Sequence, residues 1–136
     1  MNRSWKSFVL IFDGGSRGNP GPSYGSYIIQ GPEGKTKPIR LRFGRGTNNE
    51  AEYRTLIAGI EAVLSMMDQL GIDPGETELE IRGDSKLVIC QLSGQWKAKD
   101  ARMRALRDES RRLLEPFGSV RFRQHPRARS VALLGH

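Results

Sequence analysis

The sequence predicts a mixed α/β fold, and three observations carry the prediction. Strand-like runs come first and in succession, a long amphipathic helix follows them, and strands and helices then alternate. Strands in immediate succession read as an antiparallel meander, whereas strands separated by helices join a sheet through crossovers. The expected architecture is therefore βββαβα, a further helix, then β: a five-stranded mixed sheet flanked by helices.

The apolar run Phe8-Val9-Leu10-Ile11-Phe12 is the first strand, and it delivers Asp13 to the sheet rim. From Gly14 to Pro22 glycines and prolines are too dense for a strand to continue, so this stretch is expected to be a loop. Its glycines are free to adopt positive φ and to leave backbone N–H groups uncovered for a bulky anion. Residues 24–30 form the second strand, 31–34 a turn, and 37–43 the third strand. Thr47, Asn48 and Asn49 offer side-chain oxygens that cap the next helix. In it Tyr53, Leu56, Ile57, Ile60, Val63, Leu64 and Met67 recur every three or four residues and make one broad apolar face.

Gly71, Pro74 and Gly75 end that helix. Residues 77–81 alternate as a strand that runs out at Asp84, and a short helix follows from about 85 to 92. The connector 95–99 leads to a charged amphipathic helix from about 101 to 115, whose buried side is Met103, Leu106, Leu113 and Leu114. Residues 119–123 are the last strand. The tail from Pro126 to His136 is too short to classify, and no closing helix is expected from it. There is no internal repeat or low-complexity linker, so residues 1–136 are expected to form a single domain.

The totals narrow the function classes. No apolar run approaches a membrane span, and the first ten residues lack the apolar core of a secretory signal, so a cytoplasmic location is the default expectation. A single cysteine, Cys90, forms neither an internal disulfide nor a zinc cluster. Residues 1–96 hold 11 basic and 11 acidic groups, while residues 97–136 hold 11 basic and 4 acidic ones. The whole net charge of +7 thus lies in the last forty residues, an asymmetry that favours an anionic partner such as nucleic acid.

Asp13 and Asp84 each follow an apolar strand, and strands distant in sequence can end side by side in one sheet. Glu52 sits at the edge of the apolar face of the long helix, one turn inside it, and Glu50 points elsewhere. Taken singly, each acid has an ordinary reading: Asp13 as a turn residue, Asp84 as a cap, Glu52 as a first-turn acid favouring the helix dipole. Together at three element ends, two aspartates and a glutamate would repel one another unless a hard divalent cation, Mg²⁺ or Mn²⁺, sat between them.

Three successive segments carry a resemblance. They are Asp13-Gly14-Gly15-Ser16-Arg17-Gly18-Asn19-Pro20-Gly21-Pro22, then Thr47-Asn48-Asn49-Glu50-Ala51-Glu52-Tyr53, then Gly83-Asp84-Ser85-Lys86-Leu87-Val88 with Gly94-Gln95-Trp96-Lys97. In order and spacing they resemble the motifs of type 1 ribonuclease H, in the branch without the extra basic handle helix, and the likeness covers nearly the whole chain. The resemblance implies an RNase H-like fold and endonucleolytic hydrolysis of the RNA strand of RNA/DNA hybrids with two Mg²⁺ or Mn²⁺ ions. It implies Asp13, Glu52 and Asp84 as catalytic metal ligands. It further implies that Gly14, Gly15, Ser16, Arg17 and Asn19, with Asn48 and Asn49, hold the hybrid at its minor groove, where 2′-hydroxyls mark the RNA strand. Ser85 and Lys86 are placed to face the substrate and Trp96 to lie along the DNA strand, although Trp96 equally fits a half-buried packing role. A monomer is expected.

The match breaks at the C-terminus. The family has a fourth carboxylate shortly after a Pro-Arg-x-x-Asn segment; Pro126-Arg127-Ala128-Arg129-Ser130 resembles that segment, and counting onward brings Leu134 to the acid's position. Leucine binds no metal, and no acid follows Glu115. Three explanations stay open: a weak or Mn²⁺-preferring nuclease with three carboxylates, a truncated or altered C-terminus, or a domain that binds hybrid without cutting it. His125 and His136 are the candidates to substitute as ligand or proton carrier. Nucleotide binding by the glycine loop is disfavoured, because no Gly-Lys-Ser/Thr ending is present and a strand, not a helix, follows.

Overall fold

The computed structural model describes residues 6–135. Strands β1 (Lys6–Ser16), β2 (Gly21–Gly31), β3 (Gly34–Lys35) and β4 (Ile39–Gly46) precede helix α1 (Asn48–Leu70). After a 3₁₀ turn at Pro74–Glu76 come β5 (Thr77–Gly83), α2 (Lys86–Leu92), α3 (Ala101–Leu114), β6 (Ser119–Gln124) and α4 (Arg127–Leu134). The sheet order is β3-β2-β1-β5-β6, with β4 also paired to β2. Pairing is antiparallel among β1, β2, β3 and β4 and parallel from β1 to β5 and from β5 to β6. The mixed sheet thus follows from the order of the sequence pattern, meander first and crossovers after.

Alternation along β1 sends Phe8, Leu10 and Phe12 to one face and Val9, Ile11 and Asp13 to the other. The first set joins Tyr53, Leu56, Ile60, Val63 and Met67 of α1, and Met103 and Leu114 of α3, in the main core. The helix boundaries are those the sequence chemistry asks for. Thr47 and Glu50 form a reciprocal capping box at the start of α1, and Gly71 closes it with a left-handed φ of 68°.

Three expectations need correction. The sheet has six strands, not five, because the two-residue β3 pairs Gln30 and Gly31 beyond the first turn. β1 does not stop at Asp13: it continues to Ser16, with Gly14 paired to Gly25 and Ser16 to Ser23, leaving only residues 17–20 as the loop. Within that stretch Gly18 alone takes a positive φ. The glycines serve close approach instead. A Cβ on Gly14 would stand 2.7 Å from the Ala51 carbonyl, and one on Gly25 only 1.7 Å from Thr55 Oγ1. Gly25→Ala should therefore push α1 off the sheet, costing about 1–3 kcal/mol as overpacking does. Chemical denaturation checks this, and Thr55→Ala in the same chain should recover part of the loss.

The third correction concerns the tail, where a closing helix is present. α4 forms two turns after Pro126 and ends at Gly135 in a left-handed cap. Leu134 is fully buried against Ile11 and Ile28 in a second apolar cluster on the far face of the sheet. Two neighbouring sheet residues supply the burial that so short a helix cannot find in its own sequence. Leu134→Ala should cost about 2–5 kcal/mol, the range for truncating a buried leucine, and denaturation measures it directly. His136 lies outside the described residues.

Candidate active site

Parallel pairing of β1 with β5 matches Ile11 to Arg82, and two residues farther along each chain stand Asp13 and Asp84. The close seat of Gly14 under the Ala51–Glu52 peptide brings in the first turn of α1. As a result one oxygen each from Asp13, Glu52 and Asp84 lies within 4.8 Å of the others. The sequence reading named these three acids, and the fold brings all three together.

The electrostatics are those of crowded acids. Asp13 is 2% exposed; burial first, then the charge of Asp84, raises its pKa from 3.8 to about 6. Glu52 is pushed from 4.5 up to about 7, mainly by burial, while a hydrogen bond from the Ser85 hydroxyl opposes the shift. Ser85 works on both sides: it also caps α2 by accepting from the Val88 N–H at 3.3 Å. It is thus buried beside Glu52, where the sequence reading placed it facing substrate.

Sequence reasoning missed Arg127. From the first turn of α4 its Nη1 donates to both Asp13 oxygens at 3.3 Å and to Asp84 Oδ2 at 3.4 Å. The guanidinium sits between two of the three acids and partly offsets their charge, and they in turn raise its own pKa. Its signal was its place in the Pro126–Ser130 segment, and that signal needed α4 to acquire a direction.

The remaining candidates fall into three groups. Ser16, Asn19 and Asn48 tie the 17–20 loop to α1: the Ser16 N–H donates to Asn48 Oδ1 at 2.8 Å and the Asn48 N–H to Asn19 Oδ1 at 3.0 Å. Arg17 in that loop is exposed, and Asn49 is half-buried. Lys86 stands 5.6 Å from the centroid of the Trp96 ring, and Trp96 is 44% exposed, so these two form a cation–π pair at the surface. Gly14 and Gly15 are buried, Gly14 close under the Ala51–Glu52 peptide and Gly15 against the Tyr24 ring.

His125 does not join the acids. It is 6% exposed, its Nε2 lies 2.7 Å from Ser130 Oγ, and burial lowers its pKa. Leu134, at the expected fourth-acid position, is packed against apolar neighbours.

Three carboxylates from three elements are a donor set suited to a hard divalent cation, which prefers oxygen ligands. Known proteins resemble this chain over most of its length. A family model described as reverse transcriptase-like matches residues 11–132. Ribonuclease HI of Halobacterium salinarum is 42% identical over 118 residues, a span of 86% of this chain and 55% of that protein. The chain therefore spans about half the length of that relative. Among solved structures, RNase H1 from the halophilic archaeon Halobacterium salinarum NRC-1 superposes with a TM-score of 0.79 at 37% identity, covering 93% of each chain. LC11-RNase H1 in complex with RNA/DNA hybrid gives 0.81 at 28% identity, covering 93% of this chain and 90% of that one. A family match over residues 11–132, with 42% identity to a ribonuclease HI and a close superposition on a solved RNase H1, places this chain in the type 1 ribonuclease H family.

Proposed function

We propose that this protein hydrolyses the RNA strand of RNA/DNA hybrids at the Asp13–Glu52–Asp84 centre, with Mg²⁺ or Mn²⁺ as cofactor. The observation that carries the proposal is the convergence of the three carboxylates within 4.8 Å at one sheet end. When bound, a pair of divalent ions supplies an activated water and stabilises the leaving 3′ oxygen. The chain's own part is to hold and orient. Asp13 on β1, Asp84 one residue past the end of the neighbouring parallel strand β5, and Glu52 on α1 are the ligands; Ser85 fixes the Glu52 carboxylate. Arg127 supplies a positive charge at the same place, suited to the oxygens of a phosphate entering between the acids. Asn48, Asn49, Arg17 and Asn19 line the approach, and Lys86 with Trp96 offers a basic, aromatic surface to the second strand.

One observation favours a second reading. Leu134 is buried where the family pattern has its fourth acid, so a hybrid-binding domain that does not cut is the alternative. Labelled hybrid incubated with folded protein in Mg²⁺ and, separately, in Mn²⁺ decides between them. Cleavage confined to the RNA strand is expected. An intact strand under both metals would overturn the nuclease reading and leave binding.

A further inference from the structure

The sheet face that carries Asp13 is only partly roofed. Register puts Asp13, Ser26 and Arg40 in one row across β1, β2 and β4, and Gly15, Tyr24 and Arg42 in the next. With strands about 4.8 Å apart, the Arg40 backbone stands roughly 10 Å from that of Asp13, on the same face. α4 covers Ile11 and Ile28 and ends at Gly135, which lies hard against Arg40: a Cβ there would be 2.9 Å from Arg40 Nη2.

Beyond α4 the face opens into a groove of about 600 Å³ lined by Arg17, Tyr24, Arg40 and Arg42. It continues into a second cavity of about 370 Å³ that shares Arg17, Tyr24 and Arg42. Among the described residues, no carboxylate side chain lines either cavity. Among the described residues, Arg17, Arg40 and Arg42 make no ion pair, in contrast to Arg82 and Arg121 on the same face, which pair with Glu80 and Glu78. Three guanidinium groups around one groove repel one another, and a groove lined by one sign of charge concentrates potential for the opposite sign.

We propose that this groove binds the phosphodiester backbone of a nucleic-acid strand, close to the bond at the Asp13 centre. The proposal rests on the hybrid reading above and adds a second contact to it. The roughly 10 Å from Asp13 to Arg40 keeps the groove within a few nucleotides of that bond. Arginine's planar fork suits bidentate phosphate contacts, and such contacts fix register without reading sequence.

Arg40→Gln and Arg42→Gln test it, each made in the full chain carrying Asp13→Asn so that the strand stays intact. Arg112→Gln, an exposed change on α3, removes the same charge elsewhere and serves as control. Hybrid binding is titrated across salt concentration, with thermal melting to confirm folding. Each groove variant should weaken binding several-fold at low salt and reduce the slope of log affinity against log salt by about one, while the control leaves the slope unchanged. Groove variants that bind with the parent slope and affinity would overturn this inference and leave the hybrid reading standing. A parent protein that does not bind hybrid at all would overturn both. Equal losses in the groove variants and the control would reduce the effect to net charge and also overturn the assignment.

Discussion

Asp13→Asn should abolish hybrid cleavage and at the same time make the metal-free protein more stable near neutral pH. Both effects come from one carboxylate. Metal-held phosphate chemistry draws several kcal/mol of transition-state stabilisation from its ligands, and at about 1.4 kcal/mol per decade a lost ligand should cost about three orders of magnitude in rate. Without metal, the same group is a cost. Asp13 is 2% exposed, faces Asp84, and ionises only near pH 6. Asparagine keeps the short oxygen contact from the Gly14 N–H, at 3.0 Å in the native chain, and carries no charge to bury. Arg127 loses a partner, but its side chain is 61% exposed and water takes over. Melting at about pH 8 in chelator, alongside a cleavage assay in Mg²⁺, reads both arms. A variant that is less stable than its parent would make Asp13 a structural residue, and one that retains a tenth of the rate would remove it from the ligand set.

The pairing of lost activity with gained stability also explains what the sequence made legible and what it did not. Asp13, Glu52 and Asp84 were readable because each follows a pattern with local meaning: a strand ending in an acid, or an acid one turn inside a capped helix. Their meeting depends on the parallel pairing of β1 and β5, which the alternation of strand and helix implies. The extent of β1 was not readable, because glycine density suggests a turn, whereas here Gly14 and Gly25 stay in strands and give up their side chains to let α1 approach. α4 was not readable either. Its stability resides in Ile11 and Ile28, far upstream in sequence, and Ser85 and Arg127 acquired their contacts only once α2 and α4 had been placed.

The largest solution effect should be a reversal of pH dependence by divalent metal. In the metal-free protein Asp13 and Glu52 titrate near 6 and 7, up from 3.8 and 4.5. Between about pH 4 and pH 7 the folded state therefore binds more protons than the unfolded chain, and stability falls as pH rises through that window. Below it both states are protonated and the penalty vanishes; above it the penalty is complete, a few kcal/mol in total at about 1.4 kcal/mol per pKa unit. On the proposed function a divalent metal binds these carboxylates in their ionised form, so its affinity should rise through the same window, with protons released on binding. Saturating Mg²⁺ or Mn²⁺ should then raise the melting temperature strongly at about pH 8 and little at about pH 5, in proportion to the logarithm of metal over its dissociation constant. Arg127→Ala sharpens the test, since its guanidinium stands between Asp13 and Asp84 and competes with a cation for their oxygens. Removing it should lower metal-free stability at about pH 8 and enlarge the metal-induced gain. Equal metal-induced shifts at both pH values would mean that the cation binds elsewhere than on these three acids.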